Sequence, residues 1–265
     1  MVLENFNDLK NIKILIAYEG TNYSGWQRQN NKKTIQGTIE NAIAKITCES
    51  SIKLNGSGRT DAGVHAIGQV GNFITKSKMP VDKWPLVLNN KLPKDIRVNH
   101  AEEVSDNFHS RYSAKSKIYC YVIMNKTNDS KISLTKKLFL GNYCIFIDKN
   151  LDILRMKQAA KYLVGNHDFS ALSCINQRGN QKNKNRTREL KRIEIKVKGP
   201  FIYFLFEANS FLYKMVRIIV GTLIEFSIKK RSPEDIIEIM NKKDSQESGI
   251  VMPPSGLYLI KVKYN

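Results

Sequence analysis

The central stretch of this 265-residue chain reads Gly56-Ser57-Gly58-Arg59-Thr60-Asp61-Ala62-Gly63-Val64-His65-Ala66. Its three glycines tolerate positive φ angles and a close approach of the backbone, so the loop can fold tightly against a ligand. Between them, Arg59 can fork onto the carboxylate of Asp61 and hold it ionised and oriented. A carboxylate prepared in this way can act as a nucleophile or a base. We therefore expect the chemistry at Arg59 and Asp61.

Familiar alternatives for this loop do not fit. Asp61 stands where the dinucleotide-binding motif has its third glycine, and no Lys-Ser/Thr pair follows, so a phosphate-binding loop is excluded. Ser57, Asp61 and His65 are the residue types of a hydrolase triad, but they lie within nine residues. Triads usually converge from separate segments, which argues against that arrangement. A glycine turn carrying a surface ion pair is the remaining non-functional interpretation.

The eleven residues together resemble the active-site motif of the tRNA pseudouridine synthase A family. Further stretches agree with that family in the same order along the chain. They are Gly25-Trp26-Gln27-Arg28-Gln29, Leu92-Pro93-Lys94-Asp95-Ile96, Phe108-His109-Ser110-Arg111-Tyr112-Ser113-Ala114, Ala208-Asn209-Ser210-Phe211-Leu212 with Met215-Val216-Arg217, and Gly256-Leu257-Tyr258-Leu259. The resemblance covers the chain from about Ile14 to Tyr264. Ser110, Tyr213-Lys214 and Ile218 depart from the family pattern, and none of them is the matched aspartate.

The resemblance implies a role for each matched residue. Asp61 is the catalytic residue, Arg59 orients it or fills the space that the base leaves, and Arg217 sets its ionisation. For Arg217, the alternative is a side chain that reaches the surface. Tyr119 stacks on the base and manages the proton at its C5 atom, although a strand tyrosine is more often a core residue. The implied substrate-binding residues are Trp26, Gln27, Arg28, Gly58, Thr60, His65, Arg111 and Leu257. Trp26 fits packing and RNA contact equally well.

The implied activity is isomerisation of uridine to pseudouridine in the anticodon stem-loop of tRNAs, at positions 38–40, with the base flipped out of its stack. The reaction needs no cofactor and no metal, and Asp61 attacks either the ribose C1′ or the uracil C6. The family acts as homodimers. Two other functions stay open: a paralogue that modifies another tRNA position or ribosomal RNA, and a non-catalytic RNA-binding or chaperone protein.

The charge of the chain favours a polyanionic partner. Lysine and arginine number 43 against 24 acidic residues, which gives a net charge of +19. Such a surplus suits nucleic acid, because each phosphate that is neutralised releases counterions. The alternative is that the charge reflects a lysine-rich composition without a function. Binding to a membrane surface is not favoured, because the sequence has no long basic amphipathic helix. The loop over residues 176–192 is predicted to grip RNA phosphates as a flexible arm, through Arg178, Lys182, Lys184, Arg186 and Arg188.

Cysteine and histidine spacing predicts neither a disulfide framework nor a zinc site. The four cysteines never form C-x-x-C pairs, and the four histidines complete no zinc spacing. These cysteines are typical of a reducing compartment, and no run of residues reaches the length of a membrane span. We expect a soluble, cytoplasmic protein.

Periodicity predicts an α+β fold. Residues 13–18 read as a strand, and residues 34–47 as a helix with one apolar face. Strands over 68–75 and 95–104 flank a short helix over 81–90, and this order gives helices on one face of a sheet. The second half of the chain is predicted to repeat this arrangement of helices on a sheet. Its predicted elements are a strand over 118–123, a connector over 125–140, a helix over 151–164, a turn at 167–170, a hairpin over 193–208, and helices over 211–228 and 233–240. The resemblance implies two ferredoxin-like α/β halves, 1–110 and 111–265, that form a continuous, mostly antiparallel sheet with a central RNA-binding cleft.

Overall fold

The computed structural model describes residues 9–126, 132–175, 185–243 and 248–264. Two compact units make up the chain, one of residues 1–115 with 259–265 and the other of residues 116–258. Residues 259–265, which include most of the last strand, group with unit 1, whereas the sequence predicts halves of 1–110 and 111–265. No helix in the described ranges is long and apolar enough to cross a membrane.

The described residues form ten strands and six α-helices. In chain order they are β1 (Lys10–Tyr18), α1 (Ile35–Thr47), β2 (Asn55–Gly56), β3 (His65–Thr75), α2 (Trp84–Lys91), β4 (Ile96–Val104), β5 (Ser116–Asn125), α3 (Leu134–Leu140), β6 (Ile145–Ile147), α4 (Ile153–Lys161), β7 (Gly165–Asp168), β8 (Thr187–Lys198), β9 (Phe201–Ala208), α5 (Met215–Lys229), α6 (Asp235–Lys242) and β10 (Leu257–Lys263).

Unit 1 is built on antiparallel strands. β1 pairs antiparallel with both β3 and β4, β2 pairs antiparallel with β3, and β10 lies beside β3. The hydroxyl of Thr34 caps α1 by accepting a hydrogen bond from the Gly37 amide. Its apolar face buries Ile35, Ile39 and Ile43 completely, which is the amphipathic pattern that the sequence predicts. This packing fixes the strands from which the central loop emerges.

Unit 2 repeats the theme with its own strands. β9 pairs antiparallel with β5 and β8, β7 pairs antiparallel with β8, and β6 is parallel to β5. The core includes Tyr121, Phe204 and Phe206, each fully buried, and α5 is buried along most of its length. The prediction of a mixed α+β fold with mostly antiparallel strands is confirmed.

Several predicted elements of unit 2 were wrong in type. Residues 125–140 were expected to be a connector, but α3 occupies their end because Leu140 packs on Met124, Ile132 and Cys144. Residues 167 and 168 were expected in a turn, but they pair with β8 as part of β7. In both places, packing or pairing from distant residues outweighs a polar local sequence.

Other elements have different bounds. Residues 187–192 were assigned to the basic loop but belong to β8, because β7 pairs with residues 187–190 and β9 pairs with Leu190 and Arg192. The helix predicted from residue 211 begins at Met215, since Lys214 lies at φ 60° and interrupts helical geometry. The strand that precedes the central loop, β2, has only two residues.

Candidate active site

The loop that carries Asp61 runs between β2 and β3 in unit 1. Its backbone is fixed on both sides of the aspartate. The Trp26 amide donates to the Thr60 carbonyl (3.1 Å), and the Val64 amide donates to the Asp61 carbonyl (3.2 Å). Gly63 adopts φ +77°, a region that favours glycine, so the chain can turn directly after Asp61. Asp61 is left half-buried on a backbone that is held at both ends.

Trp26 packs directly beneath this loop. Its side chain is 2% exposed, and its ring lies 6.0 Å from the ring of Tyr18. A Cβ atom on Gly56 would lie 2.4 Å from the indole, so only glycine permits this approach. Trp26 is thus a packing residue of unit 1, and a direct contact with RNA stays a prediction.

Arg59 and Gln27 are joined by a hydrogen bond. The Nε of Arg59 donates to Oε1 of Gln27 at 2.9 Å, and both side chains are exposed. The sequence analysis placed both in the site, and the structure brings them together. An ion pair between Arg59 and Asp61 stays a prediction.

Arg28 is anchored to a buried acid. Its Nη1 lies 3.0 Å from Oε2 of Glu40, whose side chain is 5% exposed whereas that of Arg28 is 59% exposed. Glu40 also accepts hydrogen bonds from Gln36 and from the Leu54 amide. The guanidinium of Arg28 therefore stays at the surface while one of its edges is fixed.

The polar side chains of the loop point into unit 1. The Ser57 hydroxyl donates to Gln69 (2.6 Å), and Nδ1 of His65 accepts from the Gly20 amide (3.1 Å). Neither contact belongs to a hydrolase triad, in agreement with the sequence argument. The Thr60 hydroxyl is hydrogen-bonded to the Tyr18 hydroxyl at 2.8 Å. His65 and Thr60 are both buried, so their assignment to substrate binding stays a prediction.

Gly58 also has a hydrogen bond within unit 1: its carbonyl accepts from Nε2 of Gln69 at 3.0 Å. Sequence reasoning missed both Gln69 and Tyr18. A signal was present for Gln69, which is a polar residue within the largely apolar strand β3.

Arg111 lies on a segment tied to β2. Its side chain is exposed, with the guanidinium carbon 5.6 Å from the Tyr112 ring. The preceding Ser110, which departs from the family pattern, donates its hydroxyl to the Asn55 carbonyl at 2.5 Å. The departure thus adds a hydrogen bond that anchors this segment to unit 1.

Tyr119, Arg217 and Leu257 lie in unit 2. Tyr119 is on β5, is buried, and meets the ring of Phe211 edge-on at 5.0 Å. Leu257, at the start of β10, is 7% exposed. The roles that the resemblance gives to Tyr119 and Leu257 stay predictions.

Arg217 lies in the first turn of α5 and does not reach the surface. It is 9% exposed, and its Nε donates to the Met252 carbonyl at 2.6 Å. The neighbouring Tyr121 donates its hydroxyl to the Pro253 carbonyl at 2.7 Å. Burial raises the pKa of Tyr121, and the positive charge of Arg217 acts in the opposite direction. These bonds fix the segment at 252–253 on both sides.

The basic loop is described only in part. Arg178, Lys182 and Lys184 lie outside the described residues. Arg186 donates to the Ser173 hydroxyl at 2.6 Å, and Arg188 donates to the Thr187 carbonyl at 2.7 Å. Burial, together with the charge of Arg186, lowers the pKa of Arg188. Both side chains have intramolecular partners, and their contact with RNA stays a prediction.

Comparison with known proteins agrees with these motifs. Residues 14–113 and 159–265 match the family model described as tRNA pseudouridine synthase. The tRNA pseudouridine synthase A of Thermoanaerobacter sp. (strain X514) is 44% identical over 256 residues, which are 97% of this chain and 100% of that protein. The protein of the same name from Caldicellulosiruptor saccharolyticus is 43% identical with the same coverage of both chains.

A chain in the crystal structure of a Cbf5–Nop10–Gar1 complex is also similar, at 14% identity and a TM-score of 0.33, over 80% of this chain and 53% of that one. The match to the family model and the identity with the curated relatives define an RNA-modifying enzyme. The chain belongs to the tRNA pseudouridine synthase family.

Proposed function

We propose that this protein isomerises uridine to pseudouridine in tRNA, with Asp61 as the catalytic residue. The observation that carries the proposal is Asp61 itself, half-buried on the matched loop and held by backbone hydrogen bonds on both sides. A tRNA substrate also suits the net charge of +19. We place the activity in the cytoplasm.

The reaction is an internal rearrangement. The bond from N1 of uracil to the ribose C1′ breaks, a bond from C5 to C1′ forms, the proton on C5 leaves, and N1 gains a proton. Asp61 attacks C1′ or C6 and leaves again, so no redox change and no energy source are required. Tyr119 takes part in removing the C5 proton and stacks on the base. Arg217 contributes its positive charge to the site, and Leu257 forms an apolar wall for the base.

The proposed target is the anticodon stem-loop of several tRNAs. Arg59, Gln27, Arg28 and Arg111 support this, because all four side chains are exposed on unit 1 and three of them are cationic. RNA that differs in sequence is recognised mainly through its shape and phosphates. Arg59 enters the stack as the uridine leaves it.

The wild-type protein and one purified variant test the catalytic assignment. Unmodified tRNA transcript labelled at uridine is incubated with wild-type protein and with Asp61→Asn, and pseudouridine is quantified and mapped. Wild-type product in the anticodon stem-loop, with none from Asp61→Asn at unchanged tRNA affinity, is expected. Product at another tRNA position or in ribosomal RNA identifies the paralogue, and tight binding without product from either protein identifies an RNA chaperone.

We infer further that the enzyme is a homodimer and that α3 lies in its interface. Three side chains of this short helix are strongly exposed: Leu134 at 83%, Leu138 at 78% and Phe139 at 71%. Tyr143 follows them at 44%. Apolar patches of this kind mark interaction sites. In a two-fold dimer the α3 patch of one subunit packs against the α3 patch of the other. Such an interface requires no second complementary surface on the chain.

Molar mass in solution tests the dimer. Leu138→Lys places a charge in the centre of the patch and is expected to convert dimer to monomer in light scattering after gel filtration. Leu154→Lys is the matched control, since Leu154 is 66% exposed on α4 and outside the patch. A monomeric wild type, or dissociation by both variants alike, contradicts the assignment of α3.

A further inference from the structure

A polar network in unit 1 is centred on Gln69, a residue that the reaction does not use. Gln69 lies on β3 and is completely buried. Its Oε1 accepts the Ser57 hydroxyl at 2.6 Å and the Val70 amide at 3.2 Å. Its Nε2 donates to the Gly58 carbonyl at 3.0 Å and to the Tyr18 hydroxyl at 3.5 Å. All four hydrogen-bonding positions of one buried amide are therefore used.

The partners of Gln69 form a continuous line to the catalytic aspartate. Ser57 and Gly58 are successive residues of the loop. Tyr18 extends the line, because its hydroxyl is bonded to the hydroxyl of Thr60 at 2.8 Å, and Thr60 directly precedes Asp61. Three of the four residues before Asp61 thus depend on Gln69, directly or through Tyr18.

The network is neutral and stays so. Burial raises the pKa of Tyr18 to about 12, against the lowering effect of its hydrogen bonds to Thr60 and Gln69. The phenol therefore keeps its proton at any pH at which tRNA is handled and can donate to Thr60. A glutamine amide does not titrate, so no charge in the network competes with that of Asp61.

We propose that Gln69 is a positioning residue for the reaction. Its hydrogen bonds to Ser57 and Gly58, and its link through Tyr18 to Thr60, fix the position of the Asp61 loop relative to β3. The proposal rests on the catalytic role of Asp61 given above. If the side-chain amide of Gln69 is removed, the buried loop groups that it bonded lose their hydrogen-bonding partner. The loop must then move so that these groups reach water or new partners. A misplacement of about 1 Å at a reacting group lowers the rate by roughly 10²-fold.

The decisive variant is Gln69→Leu, which keeps the approximate volume and removes all four hydrogen bonds. The rate constant of a single turnover, with enzyme in excess over unmodified tRNA transcript, is expected to fall by roughly 10²-fold. The Kd for the same tRNA is expected to change by less than about threefold, because the exposed arginines of unit 1 keep their charge. Loss of rate without loss of affinity separates positioning from general damage to the fold.

Asn89→Leu is the matched control. Asn89 also makes two side-chain amide bonds, one with the amide and one with the carbonyl of Val98 at 2.8 Å each, but it joins α2 to β4 and touches no loop residue. It is expected to lower Tm as Gln69→Leu does while leaving the single-turnover rate unchanged. Equal rate losses in the two variants, or a Kd that rises in step with the fall in rate, overturn the proposal.

Tyr18→Phe keeps the test decisive if Gln69→Leu does not fold. It deletes one hydroxyl and leaves the ring in place, so it removes the bond to Thr60 and the 3.5 Å contact with Gln69 while the bonds of Gln69 to Ser57 and Gly58 remain. A rate reduced by about tenfold at unchanged Kd supports the network, and a wild-type rate overturns it. Failure of this inference differs from failure of the proposed function: in the second case the wild-type protein itself forms no pseudouridine.

Discussion

Gly56→Ala is the substitution whose effect follows most directly from the structure. A Cβ atom on Gly56 would lie 2.4 Å from Cε2, 2.5 Å from Nε1 and 2.6 Å from Cζ2 of Trp26. Carbon atoms in contact normally lie about 3.5–4.0 Å apart, so the indole and the loop must separate by roughly 1 Å. Trp26 is held by both its backbone amide, bonded to Thr60, and its carbonyl, bonded to Gln36. The displacement therefore falls on the loop that carries Asp61.

Two measurements should change together. Overpacking of this kind costs about 1–3 kcal/mol of unfolding free energy, and Tm falls by roughly 2–4 °C for each kcal/mol. A shift of about 1 Å in the loop lowers the single-turnover rate of pseudouridine formation by about 10²-fold. In a Trp26→Phe background the same substitution should cost much less, since phenylalanine lacks the ring nitrogen and the fused ring.

Gly199→Ala serves as the control. A Cβ on Gly199 meets nothing within 4 Å, and only its φ of +55° opposes the change. Tm should fall while the rate stays at the wild-type value, because the turn between β8 and β9 carries no proposed catalytic residue. The steric argument is refuted if Gly56→Ala turns over at the wild-type rate, or if its rate loss is the same in both Trp26 backgrounds.

Three further predictions use the surface, the buried phenol and the core. Arg111→Gln should weaken tRNA binding and reduce the slope of log K against log salt by about 0.7–1, measured by fluorescence titration at several salt concentrations; an unchanged slope would exclude a phosphate contact. The pKa of Tyr18, raised to about 12 by burial, makes its contribution to stability complete below about pH 10, and that contribution disappears as the pH rises towards 12. Urea titrations at pH 8 and pH 11 should therefore give a larger loss of stability for the wild type than for Tyr18→Phe, and equal losses would contradict the burial argument. Phe204→Ala, at a fully buried position on β9, should lower the free energy of unfolding by about 3–5 kcal/mol, whereas Val197→Ala, at a position 53% exposed, should change it by less than about 0.5 kcal/mol.

The proposed location of the chemistry rests on local sequence. Gly56, Gly58 and Gly63 indicate a tight loop, and a carboxylate between them indicates reactivity, because backbone freedom and charge are properties of individual residues. The helix α1 and the strands β1 and β9 were predictable for a similar reason. Their apolar residues recur with the period of the element they form.

Elements without such periodicity could not be predicted. The polar segment at 187–192 forms part of β8 because β7 and β9 pair with its backbone. Likewise, α3 forms in a lysine-rich segment because Leu140 packs on a cluster that includes Met124 and Cys144. Such partners are distant in sequence, so no local window contains the information.

Sequence by itself determined the family and the cationic character of this protein and led to the proposal for the Asp61 loop, because motif, residue type and net charge do not depend on packing. Only the tertiary structure decided what supports that loop. Trp26 was compatible with both packing and contact to RNA, and Thr60 was assigned to substrate binding; folding places both in the interior, beside Gly56 and Tyr18 respectively. Gln69 acquires its partners from segments as far away as Tyr18. A hydrogen bond requires two groups within about 3.5 Å, and only the folded chain brings these groups to that distance.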